Sequence, residues 1–596
     1  MKELRPDQNP RDFGKLDDEM ALTQVLDDYK VSETFVREKF DLFIKLYKLY
    51  RSHIEQKDMR PHGANLFIPR VFSTVETVTP KIVNAIFDSR PFAKTIPVGD
   101  TPVEKSDKMD ALLDFQLTQQ MKIYTTLTDI VKTFLIYGTA ITKQSWSFKT
   151  KKVIEQRPTA ATLFGILGTE PVEVLAVAKD QPDIKLIPLL DFFPDPSAPN
   201  IEDGRYAIYR YHEDLHVLKE GEKDGKYKNI KEIAASSGSG TYGGQETMSD
   251  AAGLTESSLS RKDVEILEYW TDEWLVVVAN QSTVIFKGPN PFHHREKPFA
   301  RWIDHSVPGE FYGIGEAEPL EALQLELNTT RNQRIDNASM ILNNMWLTRR
   351  GAQIDPEQLV SRPNGIIELD DIEGDIKLLE KRDHLHASYN EEATIKDDMD
   401  HTVGVFDSAR GSSPGRRETA TTMNILSTAA FDKFKLKILL TEEGGMHEAI
   451  MQIIKLNNQF VDHTLEMRIL NEQGQLTEAT IEPEDIMGQY DLKLVGGNTD
   501  PTINKEYRQN QMTQLYSLIR EDPHVHQQAF LRRLLEAYDI KNVDELLTSP
   551  EQSPPAAMMQ GGEEGMMGIT PPPGAPQGMD MQSAMGMMPG EGGVEL

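Results

Sequence analysis

Few residues in this chain stand at spacings that could do chemistry. GSSPG at 411–415 matches the G-x-S-x-G pattern that presents a serine nucleophile on a strained strand-to-helix turn. The residue after that serine should donate its backbone N–H to the oxyanion, and here it is Pro414, which has none. A flexible loop is the better reading. GEKDGKY at 221–227 resembles a phosphate-binding loop but has three residues between its glycines where four are needed, and Tyr227 where Ser or Thr should meet magnesium. GIGEAE at 313–318 lacks the third glycine of a dinucleotide fingerprint and reads as a tight turn before a helix. Asp383, His384 and His386 offer two ligands on one face if extended, without a third, and the pair His293 and His294 has the same shortfall. The chain has no cysteine, which removes thiolate metal sites, disulfides and cysteine nucleophiles together. No catalytic, cofactor or metal site is expected. One cluster remains: Arg410, Arg416 and Arg417 sit in a Gly/Ser/Pro loop before a long helix. Charge alone leaves open a solvated turn or contact with phosphate.

That loop belongs to an acidic chain. Over 596 residues, 94 Asp and Glu against 64 Lys and Arg leave a net charge of −30. Tight nucleic-acid binding comes from Lys and Arg displacing counterions, so this balance disfavours a protein that grips phosphate backbones. No apolar run approaches the roughly 18 residues of a spanning helix. The amino end is polar where a signal peptide would be apolar, so no membrane is expected and a cytoplasm-like compartment is.

The elements that must carry the loop read as α+β, mainly helical. Val36, Phe40, Phe43, Tyr47, Tyr50 and Ile54 predict a helix over 32–57 with Ser32 as its cap. Residues 65–91 read as short helical pieces broken by Pro69 and Pro80, and helical spacing from 105 stops at Gly138. Residues 139–305 are sheet-rich, interrupted by a Gly/Ser/Thr insert at 234–260 that reads as mobile. From Gly315 to Leu347 one stripe carries Leu320, Leu323, Leu327, Ala338, Ile341 and Met345, with a polar opposite face. As a helix it would be a rod of roughly 48 Å. Helical spacing returns at 385–403 and at 418–460, the latter interrupted near Gly444 and Gly445. A strand pair is expected around 489–495, and helices over 502–521 and 524–547. In the tail, 17 of the 46 residues at 551–596 are Gly or Pro, a composition of disorder.

In order, the segments GANLFIPRVFSTVETVTPKIVNAIFDSRP, FLIYGTAITKQSW, PLLDFFPDPSA, FYGIGEAEPLEALQLELNTTRNQRIDN and RRETATTMNILSTAAFDKFKLKILL resemble portal proteins. These are the head-to-tail connectors of tailed double-stranded DNA bacteriophages, and the likeness is to those of short-tailed phages, over roughly residues 30–545. The resemblance implies a ring, commonly of twelve copies, at one capsid vertex, around a channel for genome packaging and ejection. It implies an N-terminal arm at 1–30, a wing at 31–310 with further wing strands at 464–500, and stem helices at 316–347 and 385–403. A clip at 348–384 would dock the terminase and then tail adaptors, and residues 404–418 would form a tunnel loop. A long helix at 419–463 would lead to crown helices at 502–547 and a disordered tail at 548–596. The implied partners are further copies of the chain, the major capsid protein, terminase, tail adaptors and the DNA in the channel. Assembly would take place in the host cytoplasm, and the product would be a virion component.

Physics agrees with that picture. A long helix with one apolar stripe gains stability by burying it against copies of itself, and the six stripe residues are the expected packing positions. Such a rod would pass about 28 phosphates of duplex. A basic lining would clamp them, whereas an acidic one with arginines on a loop permits sliding. The competing expectations are a hydrolase or nuclease, for which no converging acid, base and metal set is visible, and a non-portal virion protein such as a tail adaptor or scaffold.

Overall fold

The computed structural model describes residues 13–14, 16–55, 59–61, 63–87, 93–99, 101–158, 169–236, 263–342, 346–348, 350, 376–378, 385–404, 433–470, 476–494, 515–516, 530–532 and 534–535. It divides into two units, 1–510 and 511–596. The architecture is α+β and mainly helical.

In the first unit, α1 (Asp18–Tyr50) begins fourteen residues before the expected start. Asp17 caps it by accepting from the Met20 N–H at 2.8 Å. Ser32, expected as the cap, lies buried mid-helix with its hydroxyl 3.0 Å from that of Tyr206. Ala21, Val25, Ser32 and Val36 continue one stripe, and its small and polar members hid the first turns. The second helix, α2 (Arg70–Phe87), runs unbroken through Pro80. Val75, Val78, Ile82, Val83 and Ile86 are buried on both sides of that proline, and their packing offsets its missing hydrogen bond. Next, α3 (Val103–Phe115) runs into a π-turn at Gln116–Gln120, and Lys122, left-handed with φ 50°, separates it from α4 (Ile123–Tyr137). Gly138 ends α4 with φ 84°, as its position in the sequence predicts.

The middle is sheet-rich as expected. Strands β1 (Ala93–Pro97), β2 (Thr139–Pro158) and β3 (Thr169–Ile187) are followed by β4 (Phe192–Pro194) and β5 (Ala207–Asp214). Helices α5 (Leu215–Lys223) and α6 (Ile230–Ser236) precede β6 (Asp263–Trp270), β7 (Trp274–Ala279), β8 (Thr283–Pro289) and β9 (Phe299–Ile303). An antiparallel sheet runs β4-β5-β6-β7-β8, and another runs β3-β2-β9. Leu218, Ile230 and Ile233 of the two short helices pack with Val264, Ile266 and Ile285 as a second, smaller core. Most of the 234–260 insert lies outside the described residues.

The rod is α7 (Ala317–Leu342), 26 residues or about 39 Å, shorter than expected because a strand, β10 (Trp346–Thr348), follows at once. It pairs with β11 (Ile376–Leu378), Trp346 opposite Leu378, and α8 (Leu385–Val403) returns with the expected bounds. Residues 433–441 are helical, a π-turn spans Glu442–Met446 with Gly444 out of helical geometry, and α9 (His447–Phe460) continues. The interruption falls where the two glycines predict. At Gly445 a Cβ would lie 2.5 Å from the Trp302 ring.

Strands β12 (Leu465–Leu470) and β13 (Leu476–Ile481) form a hairpin. The expected pair around 489–495 is instead one strand, β14 (Tyr490–Leu494), whose partner is β1 some 400 residues earlier, with Ala93 opposite Leu494. Periodicity shows a strand but not its partner. In the second unit Tyr516 and Phe530 stack at 6.1 Å. Most of the helices expected at 502–521 and 524–547, and all of the tail, lie outside the described residues. Among the described residues no helix is long and apolar enough to cross a membrane.

Candidate functional site

The α7–α8 pair is antiparallel and held by charge. Glu392 accepts from Arg334, from Arg331 at 3.2 Å and from Lys396 at 2.7 Å. The Arg334 guanidinium lies 4.1 Å over the Tyr389 ring. Burial pushes the Glu392 carboxyl up, but its Lys396 and Arg334 partners outweigh this and hold it down at about 2. At the other end of α8, Arg70 of α2 donates to both Asp400 oxygens at 2.6 Å.

The polar face of α7 has a use the sequence did not disclose. Gln324, Asn328, Asn332 and Asp336 recur every four residues and hydrogen-bond the segment 64–69 and the first turn of α2 that follows it. Asp336 accepts from the Ala64 N–H at 2.6 Å, and Asn332 accepts from Leu66 N–H at 2.8 Å and donates to its carbonyl at 3.0 Å. Asn328 accepts from Ile68 N–H at 3.0 Å, and Gln324 donates to the Ile68 carbonyl at 2.7 Å and accepts from Val71 N–H at 3.2 Å. The periods match: four helical residues rise about 6.0 Å and two extended residues about 6.6 Å. From Asp336 to Asn328 a side chain every fourth position therefore meets a backbone amide every second one, at 64, 66 and 68, and Gln324 closes the series on the Ile68 carbonyl and the Val71 N–H at the start of α2. The signal was present as Q-x-x-x-N-x-x-x-N-x-x-x-D, but nothing in it names the partner.

At the base of α7 a buried charge cluster joins three segments. Lys437 donates to Asp304 at 2.5 Å and to Glu316, and its ammonium lies 3.1 Å from His305 Nε2. Asp304, His305 and Glu316 are near enough to share one cation, but the Lys437 ammonium already stands among them at hydrogen-bonding distance. It supplies the counter-charge, so the arrangement reads as a structural lock. Burial, joined by the Glu316 charge and opposed by Lys437, pushes Asp304 up to about 6. For Glu316 burial acts upward too but is outweighed by His305 and Lys437, leaving it low. The turn beside the lock is tight: Gly313 N–H donates to Thr139 Oγ1 at 2.9 Å, and a Cβ on Gly138 would come within 2.1 Å of the Gly313 carbonyl oxygen. GIGEAE is thus a turn into a helix.

Of the stripe residues, Leu320 and Leu327 are fully buried in the chain's own core, and Leu323 packs partly against it. Ala338 and Ile341 are half-buried, and Met345 lies outside the described residues. The exposed apolar side chains of α7 are Leu325, Met340 and Leu342. Arg410, Arg416, Arg417 and the GSSPG segment lie outside the described residues, as do Asp383 and His384, while His386 falls in the first turn of α8. Burial pushes His294 down to about 4, its ring stacks on Phe292 at 5.4 Å, and its Nδ1 accepts from the Glu296 N–H at 3.1 Å. That is a core histidine. Gly221 of GEKDGKY lies in α5 with the Tyr227 ring packed over it. A cavity of about 120 Å³ between Leu112, Phe115, Trp146 and Leu465 is smaller than the roughly 300 Å³ at which ligand pockets begin.

The chain has been compared with known proteins. The family model described as phage SU10 portal protein matches residues 46–585, which takes in α2 to α9 and every sheet. No curated protein matches the chain.

Proposed function

Because the chain belongs to the phage SU10 portal protein family, whose members are structural components of a capsid-associated oligomeric assembly at a virion vertex, we propose that it closes into a ring, of twelve copies, around a channel for the genome. In this reading the ring admits DNA during packaging and releases it on ejection, and it catalyses nothing itself. The α7–α8 pair is its stem. Residues 348–384 are the clip, which docks terminase and afterwards a tail adaptor of a short-tailed phage, and the sheet-rich part is the wing toward the major capsid protein. Residues 502–547 are the crown.

The observation that carries this reading is the family match running through the α7–α8 pair and both segments flanking it. The charge on that pair supports it: beyond Glu321, Asp336, Glu392 and Asp400, which are paired within the protomer, α7 and α8 hold five further carboxylates, Glu318, Glu326, Glu391, Asp397 and Asp398. A wall of that sign repels a phosphate backbone and lets it slide. Arg410, Arg416 and Arg417 then supply weak renewable contacts with the duplex. Along the stem, Ala338, Ile341 and Met345 meet a neighbouring copy, while Leu320, Leu323 and Leu327 fix the base of the helix in its own protomer.

Particles assembled with Arg410→Ala, Arg416→Ala and Arg417→Ala together test the channel assignment. Rings should form and particles should fill, but DNA should be lost faster from filled heads. Unchanged DNA retention, with cryo-EM density for the loop far from the duplex, would remove those arginines from the channel.

A further inference from the structure

The pairing of β2 and β3 outlasts its support. Strand β9 covers β2 only from Thr139 to Lys143, and the root is anchored by Trp146, stacked on Phe460 at 5.4 Å, and by Asp180, which accepts from Trp146 Nε1 at 2.6 Å and lies 4.0 Å from His463. From Phe148 to Pro158 the hairpin runs on as two strands, an arm of about 36 Å. A two-stranded ribbon with both faces in water is marginal by itself.

One of its faces is apolar. The register sets Phe148 opposite Asp180, Thr150 opposite Val177, Lys152 opposite Leu175 and Ile154 opposite Glu173, so these eight side chains share a face. On it Phe148, Val177, Leu175 and Ile154 form a diagonal stripe exposed by 61%, 58%, 67% and 66%. Side chains this apolar and this open, contiguous on a regular element, mark a contact surface.

Charge selects what covers it. The arm strands 148–158 and 169–180 carry Lys149, Lys151, Lys152, Arg157 and Lys179 against Glu155, Glu170, Glu173 and Asp180, a net of +1, in a chain of net −30. The rest of every copy is therefore strongly acidic, and a basic, apolar arm complements it. We propose that the Phe148–Ile154–Leu175–Val177 face is an inter-protomer clasp that lies on the acidic body of a second copy of this chain. The contact is head-to-tail, since arm and acceptor are different surfaces, and such contacts make a ring when the rotation between copies closes. The proposal rests on the oligomeric reading above and says which surface makes the oligomer.

The absence of native cysteine makes the test clean. Full-length Leu175→Cys, Ile154→Cys and, on the opposite face, Lys151→Cys are labelled with a maleimide, separately as monomer and as the largest assembled species. Assembly should slow labelling at 175 and 154 by at least about tenfold while changing it less than about twofold at 151, as expected when only one face leaves solvent. Leu175→Glu with Ile154→Glu should leave the monomer's circular dichroism and melting intact and weaken assembly by about tenfold or more. Equal labelling of all three sites in an assembled ring would overturn the clasp and leave the ring standing. Protection of 175 and 154 that arises only on adding capsid protein would assign the face to that partner and overturn the clasp too. A chain that never assembles would sink the ring reading and the clasp with it.

Discussion

Asn332 holds both backbone groups of Leu66, accepting from its N–H at 2.8 Å and donating to its carbonyl at 3.0 Å. An Asn within this ladder thus fastens the segment before α2 to α7. Asn332→Ala should cost about 0.5–1.5 kcal/mol locally, the net worth of an ordinary hydrogen bond, since the exposed Leu66 backbone groups can turn to water. Hydrogen exchange reads this directly: the Leu66 and Ile68 amides should exchange faster while those of β6 and β7 do not change. Equal protection at Leu66 in the variant would mean the ladder is incidental.

Lys437 is the hub of the lock at the base of α7. Replacing it with Met strands two buried carboxylates, and breaking such a group by removing one partner costs about 3–5 kcal/mol. Thermal melting should fall clearly for Lys437→Met, and a large part should return when Asp304→Asn and Glu316→Gln are added. A single variant as stable as the parent would show that the charges are not coupled.

The helix pair should loosen in acid. With the Glu392 carboxyl at about 2 against an unfolded value near 4.5, the folded state binds fewer protons, so its contribution is complete above about pH 4.5 and fades as pH falls toward 2. Its side chain is only 10% exposed, which limits screening, and the shift corresponds to about 3 kcal/mol at most. Stability measured between pH 5 and 2 should fall less steeply for Glu392→Gln than for the parent. Identical slopes would place the Arg331, Arg334 and Lys396 partners elsewhere in solution.

Gly138 should tolerate no side chain. Its φ of 84° and the Gly313 carbonyl oxygen, only 2.1 Å from where a methyl carbon would stand, act together. Gly138→Ala should yield insoluble or strongly destabilised protein, whereas Gly309→Ala, with φ 85° but open space around it, should show only a backbone penalty of about 1 kcal/mol. Similar melting temperatures for the two would refute the close-packing argument.

Much of this was legible in the residues themselves. Gly138 as a stop, α8 to its bounds and the break at Gly444 all rest on local rules that hold whatever surrounds them. What the residues hid was non-local. Ser32 looks like a cap until Tyr206 is placed beside it, Pro80 looks like a breaker until the stripe around it is buried, and β14 looks like half of a local pair until β1 arrives from far upstream. The site divides the same way. The polar face of α7 was visible, but the segment it grips was not, and Asp304, Glu316 and Lys437 are far apart in sequence with no spacing to link them. Leu320 and Leu327 showed a stripe without showing that their own chain covers it.

Native mass spectrometry of the purified full-length chain, with class averages of the same sample, shows whether copies close into a ring. The expected result is a closed ring, twelve times the 67.3 kDa of one chain, with a bore wider than the roughly 20 Å of a B-form duplex. A monomer at every concentration, an open fibre, or a ring too narrow for duplex DNA would contradict it.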